Sequence, residues 1–570
     1  MRVLPCGPDA LLLEFEDGAQ ARAFRAGWEA VADPDEDVET VPAARTLLVR
    51  GAGPGAGARL RERIRTVEPR EQGVLVERDV VIVDVVYDGP DLGDVADVLG
   101  CSPEAFVARH TQLTWTVEFC GFSPGFAYLT CPGAGWSIPR LTSPRPRVPR
   151  GSVAVAGEYS ACYPTASPGG WRLVGTTDAV LWDAGADPPA LLTPGTRVRF
   201  ADVTAHPPPV APQVSATPHP VMRASTHEIQ AITGVPAETH EECGLRPSGS
   251  SGPRLVVVAS GPRTLVEDLG RAGLAALGVG PSGAADRSAH RLANRLLGND
   301  EAAATLEVLA GGLAVRALEP TVVAVAGAPV PCAVDGRPVA FAEPVFLPSG
   351  ATLRLGNPES GLRSYVAVLG GVASPPVLGS RSFDTIAGLG PAPLRAGQVL
   401  ATGSHAVRTA DTGIVGFAVG PDSGLAETTG AGRDVAAAAS HVPVGGGPVT
   451  MGATWGPRAD WFTPVARDLL RRATWLVEAD SDRVGVRCAG PALARLIAGE
   501  LASEPVVRGS VQVPPSGRPV VFLADHPTTG GYPVIAVLDP GAVDTLAQLR
   551  PGDSLRIAVR SPAYATDLQC

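Results

Sequence analysis

Three landmarks occur twice in this chain, in the same order and about 360 residues apart, which indicates an internal duplication. The first set is RGSVAV at 150–155, SPGGW at 167–171 and TPGTRVRF at 193–200; the second is RGSVQV at 508–513, TTGGY at 528–532 and RPGDSLRI at 550–557. Alternating apolar residues predict short strands, and each Gly-Gly pair before an aromatic predicts a tight turn beside an apolar wall. The repetition therefore predicts two copies of one β-rich unit.

Composition agrees with a mainly β protein. Gly and Pro number 67 and 56 among 570 residues, which favours many turns and short strands. The net charge of −11 argues against nucleic-acid binding. No apolar run is long enough to span a membrane and no signal peptide opens the chain, so we expect a soluble cytoplasmic protein. The nine cysteines lack paired spacing, so we predict neither a metal site nor a disulfide framework.

The chain contains no lysine, and all 47 of its basic residues are arginine. This excludes a P-loop lysine, a lysine Schiff base, an amidase-type catalytic lysine and a biotinylated lysine. Any phosphate or carboxylate ligand must then be held by arginine or by backbone N–H groups.

Sequence patterns divide the chain into five segments. Residues 1–78 alternate predicted strands and helices, which indicates a small α/β domain. Residues 79–203 contain the first β unit, and residues 204–253 are rich in Pro, Gly and Ser, as linkers are. We predict a first β domain of the C-terminal half at 254–409 and a second β unit at 410–570.

Nine ionisable side chains lie beside the Gly-rich loops and are candidates for chemistry. They are Asp286, Asp384 and Asp525, then Arg363, Arg381 and Arg483, then His110, His290 and His526. Arginine can clamp a carboxylate or phosphate, and histidine can transfer a proton near neutral pH. Each also has a structural alternative, as a helix cap, an ion pair or a loop residue. The GPSG backbone at 280–283, just before a predicted helix, could also bind an anion.

The two Gly-Gly loops define two predicted ligand pockets, with plain barrel corners as the alternative. One pocket is lined by Asp286, Arg483, Asp525 and the loop of Gly530, Gly531 and Tyr532. The other is lined by Gly125, Arg145, Gly169, Gly170 and Trp171. We assign Arg363 and Arg381 to substrate binding, and His110 to catalysis with Asp286, Arg483 and Asp525.

Longer motifs carry a family resemblance. GFSPGFAYL at 121–129, VPRGSVAVAG at 148–157 and SPGGW at 167–171 closely resemble allophanate hydrolase subunit 1, a family that includes the B-type subunit of bacterial 5-oxoprolinase and the Kip kinase-inhibitor protein. GVGPSGAAD at 278–286, GSRSFD at 379–384, WGPR at 455–458 and SDRVGVR at 481–487 resemble allophanate hydrolase subunit 2, which is similar to the C-type subunit of 5-oxoprolinase. Joined together, the halves also resemble the carboxyltransferase region of urea carboxylase.

The resemblance implies tandem cyclophilin-like β-barrels. It also implies a component of an ATP-dependent 5-oxoprolinase that activates the lactam, while an A-type partner subunit completes ring opening to glutamate. ATP with Mg would be the cofactor, at a site that the partner could share, and this chain would carry no covalent biotin. A homo-oligomer is left open.

Two alternatives follow from the same resemblance. The chain could be a carboxyltransferase for urea or a related amide, served by a separate biotin carrier, or a non-enzymatic inhibitor of a histidine kinase. The chain departs from the family pattern where His526 and Pro527 follow Asp525, where Val534 replaces a lysine, and where Ala285 replaces a methionine. If that lysine contacts substrate or carboxybiotin, its loss alters activity.

Overall fold

A computed structural model describes residues 1–32, 37–53, 55–70, 80–205, 254–403, 447–499 and 501–560. Nearly all of the predicted linker and the first part of the predicted last domain lie outside these residues. In the described parts, no helix is long and apolar enough to cross a membrane.

The N-terminal domain is a four-stranded antiparallel sheet covered by two helices. Its elements are β1 (Arg2–Pro5), β2 (Ala10–Glu14), α1 (Gly18–Ala30), β3 (Val38–Pro42), β4 (Thr46–Gly51) and α2 (Ala56–Ile64), with the sheet order β1-β2-β4-β3. The two helices pack on one face, where Leu11, Leu13 and Val49 meet Phe24 and Leu60. The predicted α/β unit is thus confirmed, with β1 and β3 as additional strands.

The first barrel follows, and its sheet is nearly closed. Its elements are β5 (Val81–Val85), α3 (Leu92–Leu99), α4 (Pro103–Gln112), β6 (Trp115–Cys120), β7 (Ala127–Thr130), β8 (Arg145–Val148), β9 (Ser152–Ala156), β10 (Tyr159–Cys162), β11 (Ser167–Gly169), β12 (Arg172–Thr176) and β13 (Arg197–Asp202). Seven strands form the order β12-β9-β10-β7-β6-β13-β5. The two ends meet where Val86 and Thr176 exchange backbone hydrogen bonds of 2.9 and 2.8 Å.

The middle domain packs a seven-stranded sheet on a five-stranded one. Its elements are β14 (Arg254–Ser260), β15 (Arg263–Glu267), α5 (Arg287–Leu296), β16 (Thr305–Leu309), β17 (Leu313–Ala317), β18 (Thr321–Gly327), β19 (Cys332–Val334), β20 (Arg337–Val339), β21 (Val345–Leu347), β22 (Thr352–Leu355), β23 (Arg363–Val368), β24 (Val372–Ala373) and β25 (Val399–Thr402). The inner faces share an aliphatic core, and α5 packs on the outer face of the five-stranded sheet β15-β16-β23-β18-β21.

The second barrel is fully closed. Its elements are β26 (Val449–Trp455), α6 (Pro464–Arg472), β27 (Trp475–Val477), β28 (Gly485–Ala489), β29 (Glu504–Pro505), β30 (Ser510–Gln512), β31 (Val520–Phe522), β32 (Thr529–Gly530), β33 (Val534–Leu538), α7 (Pro540–Leu546) and β34 (Ser554–Arg560). The closed order is β26-β33-β30-β31-β28-β27-β34.

The two barrels have the same topology, as the duplicated landmarks predict. Each strand in the order of the first barrel has a counterpart at the same place in the second, and in both barrels the first strand runs parallel to the last. In both, a tryptophan opens the strand after a helix and its indole N–H donates to the end of that helix: Trp115 to the carbonyl of His110 at 3.1 Å, and Trp475 to that of Leu470 at 3.2 Å. The mainly β fold class is confirmed.

The halves are packed against each other. The second face of the N-terminal sheet lies on the second barrel, where Leu12 and Leu48 share one apolar cluster with Val507, Phe522 and Val537. Beside this cluster the buried Arg458 of the WGPR motif binds Glu14 at 3.0 Å and also binds Glu504. The N-terminal domain therefore meets the second barrel through an apolar cluster and a buried ion pair.

Candidate functional site

Four loops meet where the first barrel faces the C-terminal half. We call this place the junction and define it by residues 120–126, 277–286, 381–385 and 525–530. The backbone N–H of Gly125 donates to the carbonyl of Leu277 at 3.0 Å, and that of Phe122 donates to Thr529 Oγ1 at 3.0 Å. The junction therefore unites the GFSPGF motif of the first half with the GVGPSG, GSRSFD and TTGG motifs of the second.

Loop 277–286 fills the space between the halves, and glycine allows it to do so. A Cβ at Gly278 would lie 2.4 Å from the carbonyl oxygen of Ser123, and one at Gly280 would lie 2.9 Å from that of His526. Gly278 also has a φ of 78°, which side chains with a Cβ rarely adopt. This backbone thus contacts the first barrel on one side and loop 525–530 on the other.

Arg483 and Asp525 form a buried bidentate pair. Arg483 Nε donates to Asp525 Oδ2 at 2.9 Å and Nη2 donates to Oδ1 at 3.1 Å. Asp525 also accepts from Ser282 Oγ at 2.7 Å and from the hydroxyl of Thr385 at 2.7 Å. The pair ties the second barrel to two other junction loops. Because a protein carboxylate occupies the guanidinium, substrate binding by Arg483 would require this pair to open, and it stays a prediction.

Two glutamates of the middle domain surround Arg483. Glu307 accepts from Arg483 Nη1 and from the Tyr365 hydroxyl, and Glu267 lies 3.4 Å from Arg483 Nη2. Burial raises the pKa of Glu307, but Arg483 and Arg363 outweigh it and bring the pKa down to about 2. Burial raises the pKa of Glu267 well above its ordinary value, and Arg483 offsets this only in part. With Glu267 protonated, the charges of Arg483 and Arg363 balance those of Asp525 and Glu307.

Asp286, one of the predicted catalytic residues, connects to this cluster through a tyrosine. Its backbone N–H donates to the Tyr365 hydroxyl at 2.7 Å, and that hydroxyl donates to Glu307 at 2.9 Å. Its side chain caps α5 and accepts from Gln548 at 2.7 Å. Burial and the neighbouring Asp544 raise the pKa of Asp286 to about 6. Asp286 can therefore change its charge near neutral pH without touching Arg483.

The N-terminus of α5 is occupied by carboxylates of the chain. The backbone N–H groups of Arg287 and Ser288 donate to Asp544 at 3.1 and 3.2 Å, and that of Ala289 donates to Asp286. The first amides of α5 are thus already satisfied, whereas anion binding by the GPSG backbone at 280–283 stays a prediction.

The GSRSFD loop is organised by two aspartates. Asp268 accepts from the hydroxyls of both serines of the loop and from the backbone N–H of Arg381, each at 2.6 Å. Asp384 accepts from the N–H groups of Ile386 and Ala387 at 2.9 Å. Burial, together with nearby Asp525, raises the pKa of Asp384 to about 6. The loop therefore presents a second carboxyl group that titrates near neutral pH.

Arg363 connects the middle domain to the second barrel. It is buried, its Nε lies 3.6 Å from Glu307 Oε1, and its Nη1 donates to the carbonyl of Ala547. Arg381 contributes its backbone N–H to the loop just described, and its side chain is half-buried. Substrate binding by either side chain stays a prediction.

The predicted pocket of the first barrel is filled by aromatic side chains. Trp171 is 5% exposed and meets Phe126 edge-on, with ring centroids 5.6 Å apart. A Cβ at Gly169 would lie 2.3 Å from the Tyr163 hydroxyl oxygen, so glycine is needed there. Arg145 binds Asp91 at 2.7 Å. This region is a packed aromatic cluster beside the junction.

Both Gly-Gly loops form the same small ribbon. Gly169 pairs with Arg145 in the ribbon β11–β8, and Gly530 pairs with Glu504 in the ribbon β32–β29. Gly170 accepts from the N–H of Leu141 at 2.8 Å. A Cβ at Gly531 would lie 3.6 Å from Arg140 of the first barrel, whereas Tyr532 is 40% exposed. The second loop therefore faces the first half, and its aromatic residue faces solvent.

The histidines have different surroundings. His110 is fully buried in the core of the first barrel, where Nδ1 contacts the Tyr87 hydroxyl at 2.6 Å and Nε2 contacts Ser160 Oγ at 2.9 Å. Burial lowers the pKa of His110 to about 3. A neutral, enclosed ring with both nitrogens engaged favours a structural role over the predicted catalytic one. His290 is likewise buried, between Thr305 and the carbonyl of Glu301.

The structure thus joins Arg483 directly to Asp525, links Asp286 to them indirectly, and brings Gly125 and Gly530 to the edge of the junction. It places His110 elsewhere. The sequence patterns indicated no role for Glu267, Glu307, Asp268 or Arg271. An acidic residue within an otherwise apolar strand, as in RTLVE at 263–267 and TLEVL at 305–309, was the available signal.

Cofactor binding can be tested against these side chains. Among the described residues, no group of three or more His, Cys, Asp or Glu could hold a metal ion. The chain has no lysine for a phosphate, and the N-terminus of α5 is closed by Asp286 and Asp544. Neither the N-terminus of α5 nor a carboxylate group among the described residues therefore provides a site for ATP with Mg.

Comparisons with known proteins cover both halves. A family model described as carboxyltransferase domain, subdomain A and B, matches residues 277–559, and one described as subdomain C and D matches residues 1–192. The C-type subunit of 5-oxoprolinase from Escherichia coli (strain K12) is 33% identical over 301 residues, 53% of this chain and 89% of that protein. The B-type subunit of 5-oxoprolinase from Escherichia coli O157:H7 is 36% identical over 202 residues, 34% of this chain and 92% of that protein.

One solved structure matches almost the whole chain. The crystal structure of TTHA0988 has 32% sequence identity and a TM-score of 0.75, and the match covers 96% of this chain and 99% of that one.

Proposed function

Since this chain belongs to the carboxyltransferase-domain family that contains the B-type and C-type subunits of 5-oxoprolinase, we propose that it is the fused B–C component of an ATP-dependent 5-oxoprolinase. In this role it binds 5-oxoproline and prepares the lactam for ring opening to L-glutamate. An A-type subunit is its partner, and the complete enzyme is a hydrolase that cleaves ATP.

The observation that carries this proposal is the junction. Loop 120–126 comes from the half similar to the B-type subunit, and the other three junction loops come from the half similar to the C-type subunit. A single site built from both halves explains why one reaction would need both. Neither half contains the site alone.

The chemistry required is the activation of a stable amide. A lactam carbonyl resists attack because of amide resonance, and ATP supplies, when bound by the complete enzyme, a phosphoryl group that weakens this resonance. Since the N-terminus of α5 is occupied and no metal-binding group is found among the described residues, we assign ATP binding to the partner or to the contact with it. This chain buries the lactam between its halves and orients it. Asp286 and Asp384, whose pKa values burial raises to about 6, can hold or release a proton there.

One observation favours the carboxyltransferase alternative, and one disfavours it. The matching family models are described as carboxyltransferase subdomains. However, Val534, which replaces the lysine of the family pattern, is buried in the apolar cluster between the N-terminal sheet and the second barrel. This position serves packing, so carboxybiotin binding there is disfavoured.

The test combines the purified full-length chain with an A-type subunit. We expect ATP hydrolysis that depends on 5-oxoproline, with glutamate formed in step, and little or no ring opening by either protein alone. The Arg337→Gln variant, which changes an exposed residue, serves as the control for effects of producing and purifying a variant protein. Carboxylation of urea in the presence of a biotinylated carrier, with no effect of 5-oxoproline on ATP hydrolysis, would instead establish the alternative.

A further inference from the structure

Two arginines and a histidine beside the junction carry buried nitrogen atoms that have no hydrogen-bond partner among the described residues. The atoms are Arg287 Nε, Arg508 Nε and His526 Nε2. Leaving a buried donor or acceptor unpaired is costly, most of all on a charged group. Such atoms in a folded protein indicate a missing partner, which a bound ion or ligand can supply.

Arg287 is a cation without a carboxylate of its own. Within the described parts of the chain, its guanidinium makes one hydrogen bond, from Nη2 to the carbonyl oxygen of Ser282 at 3.5 Å. Burial and the positive charge of Arg508 lower the pKa of Arg287 to about 9, and Asp544 offsets this only in part. The surroundings therefore penalise the positive charge, and a bound anion would relieve that penalty.

Shared contacts bring Arg508 and Arg287 together. Asp544 Oδ1 accepts from Arg508 Nη2 at 2.7 Å and from the backbone N–H of Arg287 at 3.1 Å. Arg508 Nη2 also donates to the carbonyl of Ala285 at 2.7 Å, two positions before Arg287. Asp544 carries one charge, which the guanidinium of Arg508 balances, so the charge of Arg287 is left over. Both arginines are half-buried and can be reached from solvent.

His526 lies beside the same arginines. Its ring packs on Phe522, with ring centroids 6.0 Å apart, and the residue is 4% exposed. Burial lowers the pKa of His526 to about 4, and the positive charges of Arg50, Arg287 and Arg508 contribute to this shift. Because such charge effects fade beyond about 10 Å, all three guanidinium groups lie near the ring.

The tautomer of His526 follows from its one hydrogen bond. Nδ1 lies 2.7 Å from the carbonyl oxygen of Pro527, which can only accept, so Nδ1 carries the proton. Nε2 of the neutral ring is then an acceptor. His526 therefore needs a donor from its ligand, whereas the two arginines need acceptors.

The other charged groups near this place do not supply these partners. Arg50 is bound by Glu39 at 2.8 Å. Burial raises the pKa of Asp9, and Arg50 and Arg287 lower it only in part, which favours the neutral acid. The other unpartnered atoms near the junction lie in the charged cluster around Arg483 or on uncharged hydroxyl groups: they belong to Glu267, Arg271, Ser123 and Thr528.

We propose that Arg287, Arg508 and His526 bind inorganic phosphate. The two guanidinium groups donate to its anionic oxygens, and His526 Nε2 accepts from its P–OH group. Phosphate keeps at least one proton near neutral pH, whereas a carboxylate or sulfate offers only acceptors and would leave Nε2 unpaired. The inference goes beyond the proposed function and does not depend on it, because phosphate binding is measured on this chain alone. Within the proposed function, the ligand is the phosphate that ATP cleavage releases.

The test measures binding of inorganic phosphate, sulfate, 5-oxoproline and ATP to the full-length chain by calorimetry in a phosphate-free buffer. We expect the parent to bind phosphate at least about tenfold tighter than sulfate, because only phosphate can donate to Nε2. Arg287→Met should weaken phosphate binding about 30-fold or more, as for the loss of a buried charge-assisted contact. Without phosphate, this variant should keep or raise the urea midpoint of unfolding, since the removed charge has no ion pair.

The matched control is Arg291→Met, one turn further along α5, where the half-exposed Arg291 pairs with Glu301 at 3.4 Å. It should leave phosphate affinity within about threefold. Equal losses in the Arg287 and Arg291 variants would mean general attraction of anions and would overturn the site.

His526→Phe should weaken phosphate binding about tenfold while leaving sulfate binding within about threefold, so that the preference between the two anions disappears. If Arg287→Met fails to fold, this variant decides the matter. A parent that binds sulfate as tightly as phosphate, or binds neither, would overturn the proposal. Arg287-dependent binding of 5-oxoproline or ATP that is tighter than that of phosphate would overturn it as well, by assigning the site to a carboxylate or a nucleotide.

Discussion

Replacing Arg483 with methionine should destabilise the C-terminal half strongly. The substitution keeps most of the volume and removes the charge that holds Asp525 and Glu307. Asp525 loses two hydrogen bonds but keeps Ser282 and Thr385, and Glu307 keeps the Tyr365 hydroxyl. Because each carboxylate stays buried with reduced compensation, we expect a loss of about 3–5 kcal/mol, the range for breaking a buried ion pair.

Urea unfolding of the full-length chain, followed by tryptophan fluorescence and by limited proteolysis, would measure this loss as a lower midpoint. The matched control is Arg487→Met on the same barrel, because Arg487 pairs with Asp480 at 2.9 Å and both side chains are more than half exposed. That exposed pair should contribute about 1 kcal/mol or less. Equal midpoints for the two variants would refute the argument that burial makes the Arg483 cluster structurally decisive.

Two further predictions concern the contact between halves and the pH dependence of stability. Gly278→Ala should lower the unfolding midpoint clearly more than Gly273→Ala. Both glycines have a φ of 78°, but only at Gly278 would the added Cβ lie against a carbonyl oxygen. Equal effects of the two substitutions would mean that backbone strain alone lowers the midpoint. In the parent, His110 has a pKa of about 3, below its unfolded value of about 6.5, so its contribution is present above pH 6.5 and is lost as the pH falls towards 3. His110→Gln should therefore reduce the loss of unfolding free energy between pH 6.5 and 4 by up to about 1.4 kcal/mol per pH unit. Asp286 and Asp384 contribute in the opposite direction but titrate in both proteins, so subtracting the parent's unfolding free energy from the variant's removes their contributions. A difference in unfolding free energy that does not change with pH would contradict a buried neutral ring.

The fold could be predicted from the sequence because its signals are local. The duplicated turns fix the register of neighbouring strands, and the caps of α4 and α5 lie next to the helices that they start. Trp115 and Trp475 likewise contact residues five positions away. Signals of this kind survive in a short window of sequence, so they indicate the repeated β unit, whereas the barrels were implied by the family resemblance.

The buried charges could not be predicted in the same way because their partners are distant. Arg483 binds Glu307, which lies 176 positions earlier, and Ser282 binds Asp525, which lies 243 positions later. No local pattern pairs such residues. The sequence located Arg483 and Asp525 beside Gly-rich loops, but it could not indicate that they satisfy each other. His110 looked available for the same reason: only the folded barrel encloses it.

The two barrels also show how a duplicated scaffold can produce one asymmetric site. Gly125 precedes β7 by two residues, and Arg483 precedes β28, the equivalent strand, by two residues. At this position the first barrel places the backbone N–H of Gly125 beside packed aromatic side chains. The second barrel places Arg483 there, at the centre of the buried charged cluster. Because the unlike faces meet, the first half contributes loop 120–126 to the junction and the second contributes loops 277–286, 381–385 and 525–530. A separated half would lack part of this set, so joining both in one chain keeps the second half at a high effective concentration and the site complete.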